Sequence, residues 1–464
     1  MSGAVDIDTI VAIATPEGRG GIGIVRLSGP DAFAIGEALT RRKLVPRRAQ
    51  HCLIADNAGE MLDDGIVIGY RAPASFTGED VVELQGHGSP VALERILRAT
   101  MTLGARAARP GEFSERAFLN DRIDLTQAEA IADLIDAGTE AAARGALRSL
   151  QGAFSSQVHD LMEAVTGLRV FVEAAMDFPD EDVDFLADGE VAARIESLLA
   201  TLAALRRQAG QGALLTGGIT LVLAGAPNAG KSSLMNALAR RETAIVTAIP
   251  GTTRDVLRER IDLDGIPAQL LDTAGLRDSD DPVEQEGVRR ARMEIERSDC
   301  LLFLVDSTSP EQVPADRQEV AAQVGAAIPR SVVIVHSKCA LVGGKTSASR
   351  CKAPAQARSA LLPEVTISVV SGEGLSSLRE RIRAEVGFSG DLETTFTARA
   401  RHLRALEQAE IGLLAARETL ATTGAGDILA EDLRLVHERL GEIVGAVTPD
   451  ELLGRIFSSF CIGK

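Results

Sequence analysis

The spacing of apolar residues changes character along this chain, and each change marks a different kind of element. Over residues 1–120, short alternating runs at 10–14, 23–27, 65–69 and 81–84 are separated by Gly-rich turns, and a helix is predicted over 90–103. This mixture predicts an α+β domain over 1–120. From Ser114 the period lengthens to about 3.6 residues: Ala117, Leu119, Ile123, Leu125, Ala128, Ile131, Leu134 and Ile135 fall on one helical stripe. Helical patterning continues to about Arg207, with a break at Phe178-Pro-Asp-Glu-Asp182, and Gly217-Gly218 punctuates its end.

The next stretch alternates continuous apolar runs with helical segments. Runs at 219–224, 268–271, 300–305, 332–335 and 365–369 predict strands of a parallel sheet covered on both faces. After about residue 390 the helical period returns, at 396–420, 428–444 and 449–460. The economical reading is an all-α domain, 121–217 and 387–464, split by an inserted α/β domain over 218–386. Residues 341–360 read as a surface loop.

Composition narrows the function classes. A length of 464 residues allows about three domains. A net charge of −17 argues against a generally basic nucleic-acid binder, so any RNA contact must use a local patch or a basic partner protein. With aromatics at 3% and no Trp, a base-stacking platform is not expected. Cysteines stand at 52, 300, 339, 351 and 461 without a CxxC, which suggests neither a disulfide framework nor a structural zinc site. The first residues lack a basic start and a cleavage signature, and no apolar run approaches ~18 residues, so a cytoplasmic protein with no membrane association is expected.

The candidate chemistry begins at Gly225-Ala-Pro-Asn-Ala-Gly-Lys-Ser232, which matches G-x-x-x-x-G-K-[ST]. Backbone N–H groups of Asn228, Ala229, Gly230, Lys231, Ser232 and Ser233 can meet phosphate oxygens at a helix N-terminus. Lys231 would neutralise β/γ-phosphate charge, and Ser232 would ligate Mg²⁺. Thr253, in Gly251-Thr-Thr-Arg254, is the candidate second Mg²⁺ hydroxyl. Asp272, in Asp272-Thr273-Ala274-Gly275, can hold the metal's water shell, and Gly275 can give its N–H to the γ-phosphate. That order is the order of a GTPase switch domain. Leu276 stands where many GTPases carry a water-orienting glutamine. GTPases usually carry Asn-Lys-x-Asp for the base; here the positions hold Ser337, Lys338, Cys339 and Ala340. The stem of Lys338 can still cover the base, and Ser368, Val369 and Val370 can offer backbone groups. Loss of the carboxylate weakens guanine preference, on the order of 1–3 kcal/mol.

Beyond the phosphate loop, the chain carries Gly18-Arg-Gly-Gly21, Phe76-Thr-Gly-Glu-Asp80, Glu83-Leu-Gln-Gly-His-Gly88, the stretch from Arg109 to Asn120, and Phe460-Cys-Ile-Gly-Lys464. In these landmarks, and over nearly its whole length, it closely resembles the tRNA-modifying GTPase MnmE (TrmE) family. The resemblance implies a folate-binding, dimerising N-terminal domain and a helical domain into which the G domain is inserted. It implies that Glu284 positions the attacking water. It also implies K⁺ in place of an arginine finger, held by Asn228 and by the backbone of Thr247, Ile249 and Thr252. The whole switch run from Thr247 through Ala248, Ile249, Pro250, Gly251 and Thr252 to Thr253 would then line the GTP site. Arg26, Glu83 and Arg122 match contacts to 5-formyltetrahydrofolate or a related reduced folate, with Lys464 near it. Cys461 would assist the modification chemistry as nucleophile or proton-transfer group. The implied partners are a second copy, a flavoprotein of the MnmG type in a heterotetramer, and tRNA. The implied product is a (carboxymethyl)aminomethyl-type group at C5 of the wobble uridine. Two alternatives stay open: an RNA-binding regulatory or ribosome-assembly GTPase without folate chemistry, and a folate-binding scaffold with a decayed nucleotide switch.

Overall fold

The computed structural model describes residues 8–177, 189–239, 258–272, 289, 292–308, 313–314, 316–338, 362–388, 395–447 and 449–463. Two compact units emerge. One joins Met1–Ala132, Leu150–Ala192 and Gly412–Lys464; the other joins Asp133–Ser149 and Ala193–Ile411. The chain is a multidomain α/β and α protein, with an α+β N-terminal part and a helical part split by an inserted α/β region.

The first unit holds a sheet of β1 (Ile10–Ile13), β2 (Gly20–Ser28), β3 (Gln50–Ala55), β4 (Met61–Tyr70), β5 (Val81–Gly88) and β6 (Arg106–Ala107), in the order β3-β4-β5-β2-β1-β6. Val25, Leu27, Val67, Val82 and Leu84 point to one face, where helices α1 (Ala32–Thr40) and α2 (Pro90–Thr102) cover them. The opposite face carries Arg26, Ile66 and Glu83 at the intervening positions. On that side Phe113, at the start of α3 (Glu112–Leu119), packs on Ile10 and Ala12. The helix α4 begins at Leu125 and, with α3, receives Phe457 and Phe460 from the C-terminal region; the two Phe rings lie 5.4 Å apart, edge to face. The long helix α6 (Ala153–Asp177) lies along the helix Gly426–Val444.

An ionic network centred on the buried Glu112 and Arg116 joins the start of the described chain to α3. Arg116 reaches Asp8 at 2.6 Å, Glu79 at 3.1 Å and Glu112 at 3.2 Å, and Arg106 reaches Glu112 at 2.7 Å. This is why Arg-Pro-Gly-Glu-Phe-Ser-Glu-Arg reads as a signature: Glu112 and Arg116 are a buried i,i+4 pair that fixes α3 to β1 and to the 76–80 loop.

The second unit holds β7 (Ile219–Gly225), β8 (Arg258–Leu263), β9 (Ile266–Asp272), β10 (Cys300–Asp306), β11 (Ser331–Ser337) and β12 (Glu364–Thr366), in the order β12-β11-β10-β7-β9-β8. All pairings are parallel except β8 with β9. The expected all-parallel sheet therefore gains an antiparallel edge. Arg260 and Asp262 alternate there with the buried Ile261 and Leu263, which hid β8 from a search for continuous apolar runs. Central strands are buried on both sides: Leu221, Leu223, Leu302 and Leu304 enter one core, and Val222, Ala224, Leu301 and Phe303 the other. The fifth expected strand is shorter than predicted, because the chain turns at Val369–Ser371 and Ser368 N–H donates to the Glu373 carbonyl at 2.9 Å. The helix expected from Phe396 begins at Ala400, since Thr397 is held extended by the Ser149 hydroxyl at 2.9 Å.

Replacing Arg116 by Ala should destabilise the first unit by about 2 kcal/mol or more, because Glu79 would lose its ion pair and the buried Glu112 would keep only Arg106 and Arg109. Arg434→Ala, which removes a surface cation beside Glu431, should leave the urea midpoint nearly unchanged. Urea titration followed by tryptic sampling of the two units distinguishes these outcomes. A pH effect follows from the same network. Hydrogen bonds from Arg106 and Arg116, working against burial, hold the Asp8 carboxyl at about 2 against an ordinary value of 3.8. A depressed carboxylate stabilises the fold above its unfolded pKa, so that contribution should be intact above pH 4 and fade between about pH 4 and pH 2. Thermal midpoints over that window, compared with Asp8→Asn, measure it.

Candidate functional site: a phosphate loop on the inserted sheet

β7 is the centre of the inserted sheet, flanked by β9 and β10, and its C-terminal end opens into residues 226–230 before helix α8 (Lys231–Ala239). That exit needs glycine. Gly225 has φ 138°, and a Cβ there would lie 2.3 Å from the carbonyl oxygen of Leu304. Asn228 and Gly230 take φ of 63° and 97°, which turns the loop around an open centre. Lys231 folds its ammonium over the loop and donates to the Gly225 carbonyl at 2.8 Å and the Ala226 carbonyl at 3.0 Å. Burial lowers its pKa, and the charge of Asp272 opposes that shift. Asp272, at the C-terminal end of β9, is itself buried. Ser232 and Ser233 are exposed on the first turn of α8, where the helix presents its unpaired N–H groups.

The neighbouring strand ends converge on the same edge. Asp306 and Ser337 are register partners on β10 and β11. The buried Ser337 hydroxyl donates to the Ala229 carbonyl at 2.6 Å, with the Val305 carbonyl at 3.2 Å. It therefore ties the phosphate loop to the strand expected to present the base. Lys338, at φ 58°, places its ammonium 2.7 Å from Asp306. That hydrogen bond, with two more from Thr308, holds the Asp306 carboxyl at about 2. The sequence reading does not single out Asp306; only its place beside β11 links it to Lys338. Ser368 is buried just beyond β12, whereas Val370 is almost fully exposed. The candidates Thr247, Ala248, Ile249, Pro250, Gly251, Thr252, Thr253, Thr273, Ala274, Gly275 and Glu284 lie outside the described residues, as does Lys464.

In the first unit, β2 and β5 bring Arg26 and Glu83 into register. The guanidinium meets the carboxylate at 2.9 Å, and Gln85 donates to the same carboxylate at 3.3 Å. Phe76 and Phe113 stack near Arg26, each ring centroid 5.8 Å from the guanidinium carbon. Arg122 is exposed and packs by its stem toward Gly78, two residues beyond Phe76. The C-terminal tail reaches this place. Arg26 donates to the Gly463 carbonyl at 3.4 Å, the Cys461 carbonyl accepts from Gly111 at 3.4 Å, and the Cys461 side chain is exposed. Phe76, Gln85 and Gly111 are neighbours of this cluster that the sequence shows only as parts of longer signatures.

A phosphate loop on a doubly covered parallel sheet, inserted between helical segments, defines a multidomain P-loop protein of the GTPase fold class. The family profile described as the GTP-binding protein TrmE N-terminus matches residues 9–122, and that described as the MnmE helical domain matches residues 125–461. The tRNA modification GTPase MnmE of Ectopseudomonas mendocina (strain ymp) is 53% identical over 457 residues, covering 98% of this chain and 99% of the relative. The protein of the same name from Pseudomonas aeruginosa (strain UCBPP-PA14) is 53% identical over 464 residues, with the same coverage. This chain belongs to the MnmE family.

Gly225→Ala should abolish nucleotide binding or unfold the inserted unit, at a cost of about 2 kcal/mol or more, since both the φ and the Leu304 contact oppose a Cβ. Binding of a fluorescent GDP analogue, together with a melting curve, measures the effect; unchanged affinity with an unchanged melt would contradict this account of the loop.

Proposed function

We propose that this chain is a GTP hydrolase acting in tRNA modification. The observation that carries the reading is the Lys231 cradle: a half-buried ammonium held over an open loop whose N–H groups can receive phosphate. Full-length similarity to tRNA modification GTPases supports the reaction class.

The nucleotide would lie with its phosphates on 228–233 and its base between Lys338 and the turn at 368–370. Lys231 compensates charge at the β/γ-phosphates. Ser232 and Thr253 would hold Mg²⁺, which supplies further charge neutralisation; an exposed hydroxyl at the start of α8 suits that part. Asn228 would present its side-chain carbonyl to K⁺, with backbone carbonyls of Thr247, Ile249 and Thr252; its left-handed backbone turns the side chain out of the loop, where it is exposed. Glu284 positions the attacking water.

The Arg26–Glu83 cluster suits a reduced folate. Glu83 accepts from amino and ring N–H groups, Arg26 and Arg122 meet carbonyl or carboxylate oxygens, and Phe76 offers a flat neighbour. Lys464 would stand near the folate. Bound there, the folate supplies a one-carbon unit for C5 of a wobble uridine, with glycine or ammonium as nitrogen source and a flavoprotein partner of the MnmG type supplying redox chemistry in a heterotetramer. Cys461 would act as nucleophile or proton-transfer group during that transfer; its exposed thiol and the docking of the C-terminal tail beside Arg26 support this reading. Ile66 and Leu53 stay exposed on the face of the first sheet away from α1 and α2, which suits burial in a homodimer. A cytoplasmic location accords with tRNA as substrate, and no helix among the described residues is long and apolar enough to cross a membrane.

Lys231→Ala should lower K⁺-dependent GTP hydrolysis on the order of 100-fold or more, and cells carrying it should lose wobble-uridine modification. Cys461→Ser should hydrolyse GTP at the parental rate yet lose the modification. Phosphate release in K⁺ against Na⁺, with mass spectrometry of tRNA nucleosides, tests both; a parental nucleoside profile in Cys461→Ser cells removes the thiol from the chemistry.

A further inference from the structure

The acidic total conceals one strongly basic surface. No Asp or Glu occurs from residue 38 to residue 55, and within that stretch the loop between α1 and β3 carries Arg41, Arg42, Lys43, Arg47 and Arg48. All are exposed, and none has an ion pair among the described residues. That is unusual for this chain, where surface cations are commonly matched by a neighbouring acid, as in Arg144–Glu140, Arg381–Glu385 and Arg439–Glu442. The acids nearest the loop are already engaged. Glu37 accepts from the Leu44 N–H at 3.0 Å, Asp56 from the Glu60 N–H at 2.8 Å, and Glu60 pairs with Arg95.

The loop is also rigidly held. Leu44 is buried in the core beneath α1, and Gln50 clasps the turn by accepting from Val45 N–H at 2.8 Å and donating to the Lys43 carbonyl at 3.2 Å. Arg47 N–H donates to the Gly69 carbonyl at 2.8 Å, and its guanidinium donates to the Ala74 carbonyl at 2.9 Å. Unmatched like charges along one loop repel, so keeping them there is a cost unless an anion shares the surface. Val45 is the only large apolar side chain the loop exposes, which is poor anchorage for a lipid surface.

We propose that this loop is a docking surface for the phosphate backbone of the tRNA substrate. The inference rests on the tRNA-modifying reading above. Its position adds to the argument. Pro46 bridges Gly69 on β4, whose neighbour Ile68 is in register with Glu83, which in turn faces Arg26. Three strand spacings of about 4.8 Å separate the loop from Arg26, so roughly 14 Å, less than the width of an RNA duplex. The phenol of Tyr70, at the end of β4, feels Glu83, Arg26 and Arg47 together, which places Arg47 on the near flank of that cluster. RNA held here by its backbone would bring a protruding nucleotide to the Arg26–Glu83 cluster. Backbone recognition is the mode open to a chain so poor in aromatics.

The test uses the full chain and an in vitro transcribed tRNA with uridine at the wobble position, titrated over a range of KCl concentrations. Arg42→Gln, Lys43→Gln and Arg48→Gln together spare Arg47, which donates to the Ala74 carbonyl, and Arg41, whose guanidinium lies beside Gly59. This variant should keep parental GTP hydrolysis and melting, and should bind tRNA about 10-fold or more weakly. Its slope of log affinity against log salt should fall by about 2 to 3. The lysine form, Arg42→Lys with Arg48→Lys, should bind as the parent does. The control Arg144→Gln, Arg381→Gln and Arg439→Gln, which removes paired cations, should change little. Parental affinity in the triple variant, or an equal loss in the control, overturns the docking assignment and leaves the GTPase reading standing. Failure of the parent itself to bind tRNA also overturns the docking assignment, whereas loss of GTP hydrolysis by the parent would overturn the GTPase reading instead. Retention of the parent on phosphatidylserine vesicles but not on tRNA, abolished by the same triple substitution, would make the surface a lipid contact and overturn the RNA assignment.

Discussion

The nucleotide site depends on one close approach, the passage of Gly225 beneath the carbonyl of Leu304. At that point β7 and β10 are still paired, yet the chain must leave the sheet and turn into α8. Only a residue without a side chain can make that exit. Once it is made, Asn228 and Gly230 complete the turn, Lys231 falls over the loop, and Ser337 pins Ala229 from the side. The loop is thus shaped before any phosphate arrives, which is the condition for backbone dipoles to act strongly on a ligand. The apolar strands on either side matter to function chiefly because they hold this exit rigid.

Ser337 shows how a departure from the usual GTPase pattern is absorbed. A hydroxyl is shorter than a carboxamide, but it still reaches the loop carbonyl of Ala229 and keeps the phosphate and base regions mechanically joined. The neighbouring ammonium of Lys338 is steadied by Asp306. Affinity would therefore reside mainly in the triphosphate, with the base contributing stacking on an aliphatic stem. In the N-terminal unit the same economy appears with charges. The Arg106–Arg116–Glu112–Asp8 network is spent on holding α3, Arg26–Glu83 is only partly exposed, and the cations of the 41–48 loop have no ion pair among the described residues.

Much of this was legible in the sequence where the cause is local. The phosphate loop is contiguous, so its residues can be named without a fold, and the buried strands announce themselves as apolar runs. Elements whose stability comes from elsewhere were missed. The strand Gln50–Ala55 is preceded by the basic loop and alternates its exposed residues with Cys52 and Ile54 in the core. The helix Ala32–Thr40 is short and contains Gly36, which sits where a Cβ would strike Val82. Phe396 and Ala398 have core-like burial but an extended backbone, because Ser149 supplies their segment's hydrogen bonds. The partners of Lys338 and Arg26 are 32 and 57 residues away in sequence, and no pattern within a window can join them.

The central claim is that phosphate held by the 225–232 loop supplies most of the affinity for nucleotide. Calorimetric titration of the full chain with GDP and with guanosine, in the same K⁺ and Mg²⁺ buffer, tests it most directly. GDP should bind at least about 1000-fold more tightly than guanosine, a difference of roughly 4 kcal/mol. Comparable affinities for the two, or binding of neither, would contradict it.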